Sequence, residues 1–457
     1  MANKYFTNKY LHRFSGDSYF NDFVFSDDYY EPFVSTTYLG EGIVDRVDYN
    51  LRRWNKMISS YLTFNIESDG NIYFKTSNTA LTKTIEYSID NGQTWTELTS
   101  ASDNSASISV ETGDKVIFRG ENTQYATGAH RTYFDSTADF YLYGNIMSLT
   151  NYDDFKRATE FNDNWVFNGL FRGCTHLTSA EDLALPATAL TYGCYYQLFY
   201  ECTNLEVAPE LHATTLAQHC YAGMFTNCTS LEAAPELPAT TLEYACYNGM
   251  FMGCSNLTTV QELLPATSLI EGCYKWMFGR CTSLTTAPAF PVTTLTCGLE
   301  CCLSMYEGCT SLVGGVSRIG NANNVIADGN ITSGSCFYQM FKDCTALVIA
   351  PELPATNLGE FCYWRMFQGC TALVNAPELP AITLAYKCYF ETFKNCTNVN
   401  YIKAMFTTLP TGNVPDYTED WVDGVQTTAG TFVKNSSATW SQTGVHGVPD
   451  NWTVVTA

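Results

Sequence analysis

The sequence predicts a multidomain chain with an N-terminal segment, a small antiparallel β-sandwich, an elongated α/β repeat solenoid and a β-rich C-terminal cap. Three observations support this. Eight pairs of cysteines, eight residues apart within each pair, recur about every 26 residues between positions 194 and 396. Residues 59–150 instead alternate apolar and polar side chains, as half-buried strands do. With 457 residues, the chain is also too long for one compact domain.

The repeating unit is well represented by residues 231–254, LEAAPELPATTLEYACYNGMFMGC. A period of about 20–29 residues with leucines at fixed positions is typical of leucine-rich repeats. Counted from Cys246, apolar residues fall at positions 0, 1, 4, 5 and 8, which predicts a short amphipathic helix ending at Cys254. The Pro-Glu-Leu-Pro stretch predicts an extended segment over Leu231–Leu237, followed by a turn.

The nineteen cysteines are predicted to be buried and reduced. Eight helical residues span about 12 Å, whereas a disulfide needs Cα atoms within about 7 Å. Free cysteine packs as a small apolar residue. Cys297, Cys301 and Cys302 break the spacing, and a zinc site there would lack a second ligand pair, so apolar packing is favoured.

The string C-Y-x-x-M-F-x-x-C-T-S-L-x-x-A-P-E-L-P-A-T-T-L recurs about nine times over residues 151–409 and resembles the BspA-like leucine-rich repeats. Such repeats occur in surface proteins of gut and oral anaerobes. They also occur in virion proteins of the phages that infect these bacteria, including crAss-like phage appendages. Residues 59–150 resemble the Ig-like β-module that precedes these repeats, and residues 410–457 resemble the segment that closes them. By analogy with phage fibres, the resemblance implies a homotrimer.

Composition excludes several classes of function. The net charge of −22 argues against nucleic-acid binding. No stretch approaches the roughly 18 apolar residues that span a bilayer, and no apolar leader is recognisable near residue 1, so neither membrane insertion nor classical secretion is expected. We find no phosphate loop, G-x-S-x-G or H-E-x-x-H motif. The sequence therefore predicts no enzyme, no catalytic residue and no cofactor.

The N-terminal segment, residues 1–58, is rich in aromatic residues: thirteen of its first fifty are Tyr or Phe. Aromatic residues with few lysines are typical of interface centres. We therefore predict an anchor that contacts other virion proteins. The alternative is a strap on the sandwich.

Five glutamates occupy one position of the repeat and are expected to form a ladder: Glu210, Glu236, Glu262, Glu352 and Glu378. A solvated acidic ridge is favoured, because exposed like charges in water cost little. Divalent-cation sites on this ridge are the alternative.

The binding residues are expected where the outward positions of the predicted helices vary. The candidates are large aromatic or basic residues: Tyr196, Tyr200, Trp276, Tyr338, Trp364, Arg365 and Phe390, with Lys275 beside Trp276. Exposed aromatics serve interfaces or stack on sugars, whereas the alternative role is packing on neighbouring side chains alone. Residues 313–334 replace one Pro-Glu-Leu-Pro segment and are expected to form a loop on the binding face.

Together these patterns predict a phage virion appendage made in the host cytoplasm and carried on the virion surface. Its solenoid would adhere to a glycan or protein of the host surface, with avidity from many copies. The alternatives are a bacterial cell-surface adhesin and a purely structural decoration protein of the virion.

Overall fold

The computed structural model describes residues 41–266, 268–290, 296–314, 334–409, 417–426 and 428–457. Within these ranges the protein is mostly β, in several sheets, with one α-helix. The helix is α1 (Glu41–Ile58). The first strands are β1 (Leu62–Ile66), β2 (Gly70–Thr76), β3 (Thr84–Ser88), β4 (Thr96–Thr99), β5 (Ser107–Val110), β6 (Lys115–Arg119), β7 (Thr132–Ser136) and β8 (Phe140–Asn145). The later strands are β9 (Leu177–Ala184), β10 (Ser268–Leu269), β11 (Thr296–Cys297), β12 (Tyr401–Ala404), β13 (Thr431–Lys434) and β14 (Thr453–Thr456).

Strands β1–β8 form two antiparallel sheets that pack face to face. One has the strand order β4-β3-β6-β1-β8, and the other β5-β2-β7. Phenylalanines from both fill the space between them: Phe64 on β1 contacts Phe134 on β7, with ring centroids 5.0 Å apart. The alternating strand pattern read from the sequence is confirmed here, since β1, β2, β3 and β6 lie where it predicts strands.

Strands β3 and β4 form an antiparallel hairpin whose connecting loop contains Asp90-Asn91-Gly92. Asn91 and Gly92 both have positive φ, a conformation that Asn and Gly adopt most readily. The Asp90 carboxylate accepts hydrogen bonds from the Ser88 hydroxyl and from the Thr94 N–H and hydroxyl. These bonds, the one from Ser88 foremost, lower the pKa of Asp90 to about 2.

The sandwich and the repeats share one sheet and one core. Strand β9 lies inside the predicted repeat region, yet it pairs in parallel with β8. Helix α1 crosses this junction, with the Arg53 guanidinium donating to the Asp182 carboxylate at 2.7 Å. The Trp54 ring meets the His212 ring edge to face, 4.4 Å between centroids. The first part of the predicted anchor, residues 1–40, lies outside the described residues.

The prediction of an amphipathic helix in each unit is wrong. In the unit that starts at Cys246, every second N–H bonds the carbonyl three residues back, as from Met250 to Tyr247 at 3.2 Å. The intervening N–H groups bond the next unit instead, as from Gly249 to Lys275 at 2.8 Å. An α-helix would bond four residues back throughout. The segment is therefore a chain of overlapping β-turns, which we call the turn segment.

The left-handed residues of the turn segment explain why it is not a helix. Ala245, Gly249 and Gly253 have φ of 50°, 62° and 78°, and this four-residue spacing recurs in the other units. A second central residue with positive φ is what a type II turn requires. Successive turns of this kind coil the chain with a period of four. The apolar pairs of the sequence have the same period.

Units stack in parallel, about one strand spacing apart. The extended half of each unit contributes little more than one bridge per unit, such as Ala233 to both Val207 and Thr259. Inside the stack, aromatic rings form a ladder with centroids 5.4–5.7 Å apart. Its members are Phe171, Phe199, Phe225, Phe251, Phe278, Tyr306, Phe341, Phe367 and Phe393.

The prediction of buried, reduced cysteines is confirmed: all nineteen are buried, and none of them forms a disulfide. The second cysteine of each pair has a specific partner, since its thiol donates to the carbonyl of the ladder aromatic one unit earlier. The Cys254 Sγ lies 3.0 Å from the Phe225 carbonyl, and Cys228 repeats this contact with Phe199. Burial raises the pKa of the Cys254 thiol to about 12.

The C-terminal end of the stack is β-rich, as predicted. Strands β12, β13 and β14 form a parallel three-stranded sheet. Trp421 is fully buried beneath it and donates its indole N–H to the Gly447 carbonyl at 2.9 Å. Within the part of the chain that the structure describes, no helix has the length and apolarity needed to cross a membrane.

Candidate functional site

The outward side of the turn segments carries the side chains that differ from unit to unit. We call this surface the turn face and number its positions from the first cysteine of each unit. The most variable positions lie two and one residues before that cysteine, and two and three after it. All seven predicted binding residues lie on the turn face, but the structure brings only four of them together.

Three of those four belong to a group of aromatic rings that spans three successive units, and the fourth, Arg365, adjoins it. We call its ring members the C-terminal aromatic cluster: Tyr338, Phe361, Trp364, Tyr386 and Phe390. Trp364 is central, with ring centroids 5.0 Å from Tyr338, 5.3 Å from Phe361 and 5.1 Å from Phe390. Most of these rings are half-buried, whereas Tyr386 is 39% exposed. The cluster is thus a packed aromatic surface with one open edge.

Two cations adjoin the cluster and differ in their partners. The Arg365 side chain is tied to the carboxylate of Glu391, itself nearly buried. The Lys387 ammonium lies over three rings, 4.8 Å from the centroid of Phe390 and 5.4 Å from those of Trp364 and Tyr386. No carboxylate among the described residues pairs with Lys387. Of the two, Lys387 is the cation available to a ligand.

Tyr196 and Tyr200 lie at the opposite end of the stack. Tyr196 belongs to a second group, the N-terminal aromatic cluster, formed by Trp165, Tyr192, Tyr196, His219 and Tyr244. Tyr200 lies beside it, with the Arg172 guanidinium 4.2 Å above its ring. Gly193 makes room for Trp165, since a Cβ there would meet the indole at 2.4 Å.

Trp276 stands between the two clusters. Its ring packs over Gly279 of its own unit and contacts no other described aromatic ring. The neighbouring Lys275 is paired with Glu300 at 2.7 Å. The seven predicted residues therefore occupy three separate places on the turn face.

A stripe of exposed valines runs across the same C-terminal units, at the position after the inward leucine. Val313, Val348 and Val374 are 46%, 50% and 39% exposed, and the adjoining Ile349 is 66% exposed. The Val348 N–H donates to the Val313 carbonyl at 3.2 Å, so these side chains lie on adjacent units. We call these four residues the valine stripe. It is a second apolar surface on the units that carry the C-terminal aromatic cluster.

The acidic ridge holds two glutamates with identified partners. Glu378 accepts a hydrogen bond from the Lys403 ammonium at 2.9 Å, and Glu210 lies 3.5 Å from the His212 ring. Across the described ranges, no group of three or more His, Cys, Asp or Glu side chains is arranged to hold a metal ion.

The irregular cysteines form a compact buried group. The Cys301 thiol lies within hydrogen-bonding reach of the thiols of Cys297, Cys302 and Cys336, and burial raises its pKa. Cys302 stands where most units have a buried tyrosine such as Tyr247. All four cysteines belong to the hydrophobic core, as the prediction of apolar packing for the irregular cysteines requires.

Sequence reasoning missed Phe361, Tyr386 and Lys387 in one cluster, and Trp165, Tyr192, His219 and Tyr244 in the other. They lie one or two residues before the first cysteine of a unit, or at the equivalent place before Val166 in the case of Trp165. The predicted helix began at that cysteine, so these positions fell outside it. Aligning every unit on its cysteines and marking all outward aromatics would have found them.

Comparison with known proteins gives one structural match. The protein is similar to a leucine-rich cell surface protein from Faecalibacterium prausnitzii A2-165, with 15% sequence identity and a TM-score of 0.22. The similarity covers 55% of this chain and 79% of that one. No protein-family model and no curated protein sequence matches the chain.

Proposed function

We propose that the protein is an adhesin that binds a cell-surface ligand through the turn face of its last repeats. The observation that carries this proposal is the C-terminal aromatic cluster, where rings from three successive units pack together and three rings from the last two of these units surround the ammonium of Lys387. Aromatic side chains and a cation held in place are features of recognition surfaces. No catalytic role is proposed.

The distribution of apolar exposure points to the same repeat units. Large exposed apolar side chains are concentrated on the repeats, and the four aliphatic residues of the valine stripe lie on adjacent units. Contiguous apolar patches of this kind usually mark an interaction site. Equivalent positions in earlier units carry Glu206 and Glu232, so the repeat fold does not require an apolar residue there.

We place this adhesin on a phage virion, as an appendage whose solenoid faces the host. Support comes from the repeat motif, which resembles repeats of phage virion proteins, and from the nineteen buried thiols. A chain with so many free cysteines folds most safely where thiols stay reduced, as in a host cytoplasm. Immunogold labelling of purified particles and of infected cells separates this role from that of a bacterial surface adhesin. Label on uninfected bacteria alone would exclude the virion role.

The test of adhesion uses the full chain, because β9 of the repeats pairs with β8 of the sandwich and a cut at residue 150 would separate them. The variant Tyr386→Ser, Lys387→Asn removes the open edge of the C-terminal cluster. Asn tolerates the left-handed backbone at 387, where φ is 51°. Tyr244→Ser is the matched control, since Tyr244 occupies the same repeat position and is also 39% exposed.

Binding of the labelled proteins to a panel of gut bacteria should fall at least about tenfold for the double variant and stay unchanged for the control. That ratio corresponds to about 1.4 kcal/mol of binding free energy. Periodate treatment of the cells distinguishes a glycan ligand, whose binding is lost, from a protein ligand. Wild-type binding by the double variant would contradict the proposed surface. Absence of binding to every cell would favour a structural decoration protein.

A further inference from the structure

The two ends of the parallel ladder differ in how they are covered. At the first end, β9 pairs with β8 of the sandwich. At the last end, β14 pairs with β13 on one side, and no described residue pairs with its other side. All four residues of β14 are exposed, with Val454 at 49% and Val455 at 45%.

The backbone groups on the open side can be identified from the hydrogen bonds on the paired side. The Thr453 N–H donates to the Gly430 carbonyl at 2.8 Å, and the Ala457 N–H donates to the Lys434 carbonyl at 2.9 Å. The Ala457 carbonyl accepts from the Ser436 N–H at 2.9 Å. Because successive residues of a strand alternate in direction, Thr453, Val455 and Ala457 direct their backbone N–H and carbonyl groups toward β13. Val454 and Thr456 therefore direct their N–H and carbonyl groups toward the open side.

This edge lacks the features that usually prevent strands from pairing. Natural edge strands are protected by lysine, proline, bulges or a covering loop. The segment Thr453–Ala457 contains no charged side chain and no proline, and its two valines favour strand pairing. Two such strands can therefore approach without opposing like-charged side chains, although the whole chain carries −22.

We propose that β14 pairs with β14 of a second copy of this chain, in antiparallel orientation about a two-fold axis. In antiparallel pairs, outward-directed residues must face outward-directed residues. A two-fold axis at Val455 pairs both outward-directed residues, Val454 and Thr456, with outward-directed residues of the other copy. Each Val454 then exchanges both backbone hydrogen bonds with Thr456 of the other copy. The two Val455 residues face each other as a pair without hydrogen bonds, where side chains come closest.

The second copy is the occupant that the geometry favours, because one register uses every outward N–H and carbonyl of both strands. A single strand edge buries less surface than a stable interface needs. The dimer is therefore weak and depends on concentration. It doubles the number of turn faces per assembly, but the inference does not rest on the proposed adhesion.

The test is disulfide crosslinking between copies of the full chain. Each variant carries one added cysteine on β14, and the folded protein is oxidised with diamide under native conditions. Val455→Cys should form a disulfide-linked dimer, since facing residues without hydrogen bonds have Cα atoms about 4.5 Å apart. Thr453→Cys is the matched control on the same strand. Its two copies would lie four residues apart, about 14 Å, and should not link. The wild type, whose thiols are all buried, sets the background.

A mixture of Thr453→Cys and Ala457→Cys chains should link, because these two positions face each other in the proposed register. Val454→Pro added to Val455→Cys should lower the linking rate at least about tenfold. Proline is tolerated at 454 because that N–H points outward and has no partner among the described residues. Equal linking of Val455→Cys and Thr453→Cys would overturn the proposal, as would the absence of linked Val455→Cys dimer at high protein concentration.

Discussion

Two fully buried tyrosines differ in what their hydroxyl groups contact. The Tyr125 hydroxyl donates to the Leu149 carbonyl at 2.8 Å, whereas the Tyr247 hydroxyl has no hydrogen-bond partner in the described part of the chain. Removing the Tyr125 hydroxyl deletes this hydrogen bond and leaves the Leu149 carbonyl with only the 3.3 Å bond from the Asn122 N–H, which costs about 0.5–1.5 kcal/mol. We expect Tyr125→Phe to lower the free energy of unfolding by that amount and Tyr247→Phe to leave it equal or higher. Denaturant titration of both variants checks this. A clear loss of stability in Tyr247→Phe would show that its hydroxyl is satisfied.

The second cysteine of each unit is a hydrogen-bond donor as well as a packing residue. The Cys254 thiol donates to the Phe225 carbonyl in a site without solvent. Alanine there removes both the bond and part of the volume, so Cys254→Ala should lower the free energy of unfolding by about 1–3 kcal/mol. Cys254→Ser keeps a donor of similar shape and should lose less. Comparison of the denaturation midpoints of the two variants tests this, and the serine variant should have the higher midpoint. A serine variant less stable than the alanine variant would contradict the donor role.

At the scale of elements, the turn segment depends on a left-handed residue at every fourth position. Gly249 has φ of 62°, and a Cβ there would meet only the Thr226 hydroxyl, at 3.9 Å. Gly249→Ala therefore isolates backbone strain from packing and should destabilise the chain by about 1–2 kcal/mol. The reciprocal change Ala245→Gly relieves the same strain and should not destabilise it. Urea unfolding of the two variants measures this difference. An α-helix disfavours glycine, so in a helix Ala245→Gly would be the destabilising change and Gly249→Ala would not.

The same element shows how far sequence reasoning reaches. The repeat length, the inward residues and the burial of the cysteines follow from spacing alone. The turn segment does not, because apolar pairs at positions 0, 1, 4, 5 and 8 fit a four-residue turn coil and a 3.6-residue helix equally well. The discriminating signal was the glycine at positions 3 and 7, as at Gly249 and Gly253. Missing it also placed the start of the segment too late, which left Tyr386 and Lys387 out of the predicted site.

At the scale of the whole molecule, the sandwich and the repeats should unfold together. The Phe134 ring of the sandwich stacks on Phe171 of the repeats, 5.8 Å between centroids, and its backbone N–H donates to the Leu170 carbonyl. Phe134→Ala should lower the free energy of unfolding by about 3–5 kcal/mol. Every cysteine lies between residues 174 and 396, so thiol labelling during denaturation reports on the repeats alone. A labelling midpoint unchanged by Phe134→Ala would show that the two parts unfold independently.

The sequence predicted which types of residue form the interaction surfaces, but not how these residues are grouped. The aromatic positions on the turn face are visible in the sequence, yet their grouping depends on which units become neighbours and on how each turn aims its side chains. Trp364 illustrates this, because its ring is at the centre of a packed cluster rather than exposed by itself. The open edge of β14 depends on strand order and could not be read from composition.

The claim that the last repeats bind the cell surface is tested most directly by hydroxyl-radical footprinting of the full chain, free and bound to isolated cell envelopes. Tyr386 and Ile349 should be protected on binding. Tyr244, with the same exposure as Tyr386, and Ile89 on the sandwich, 66% exposed, should react as before. Protection of Tyr244 or Ile89 with Tyr386 and Ile349 unchanged would contradict the account.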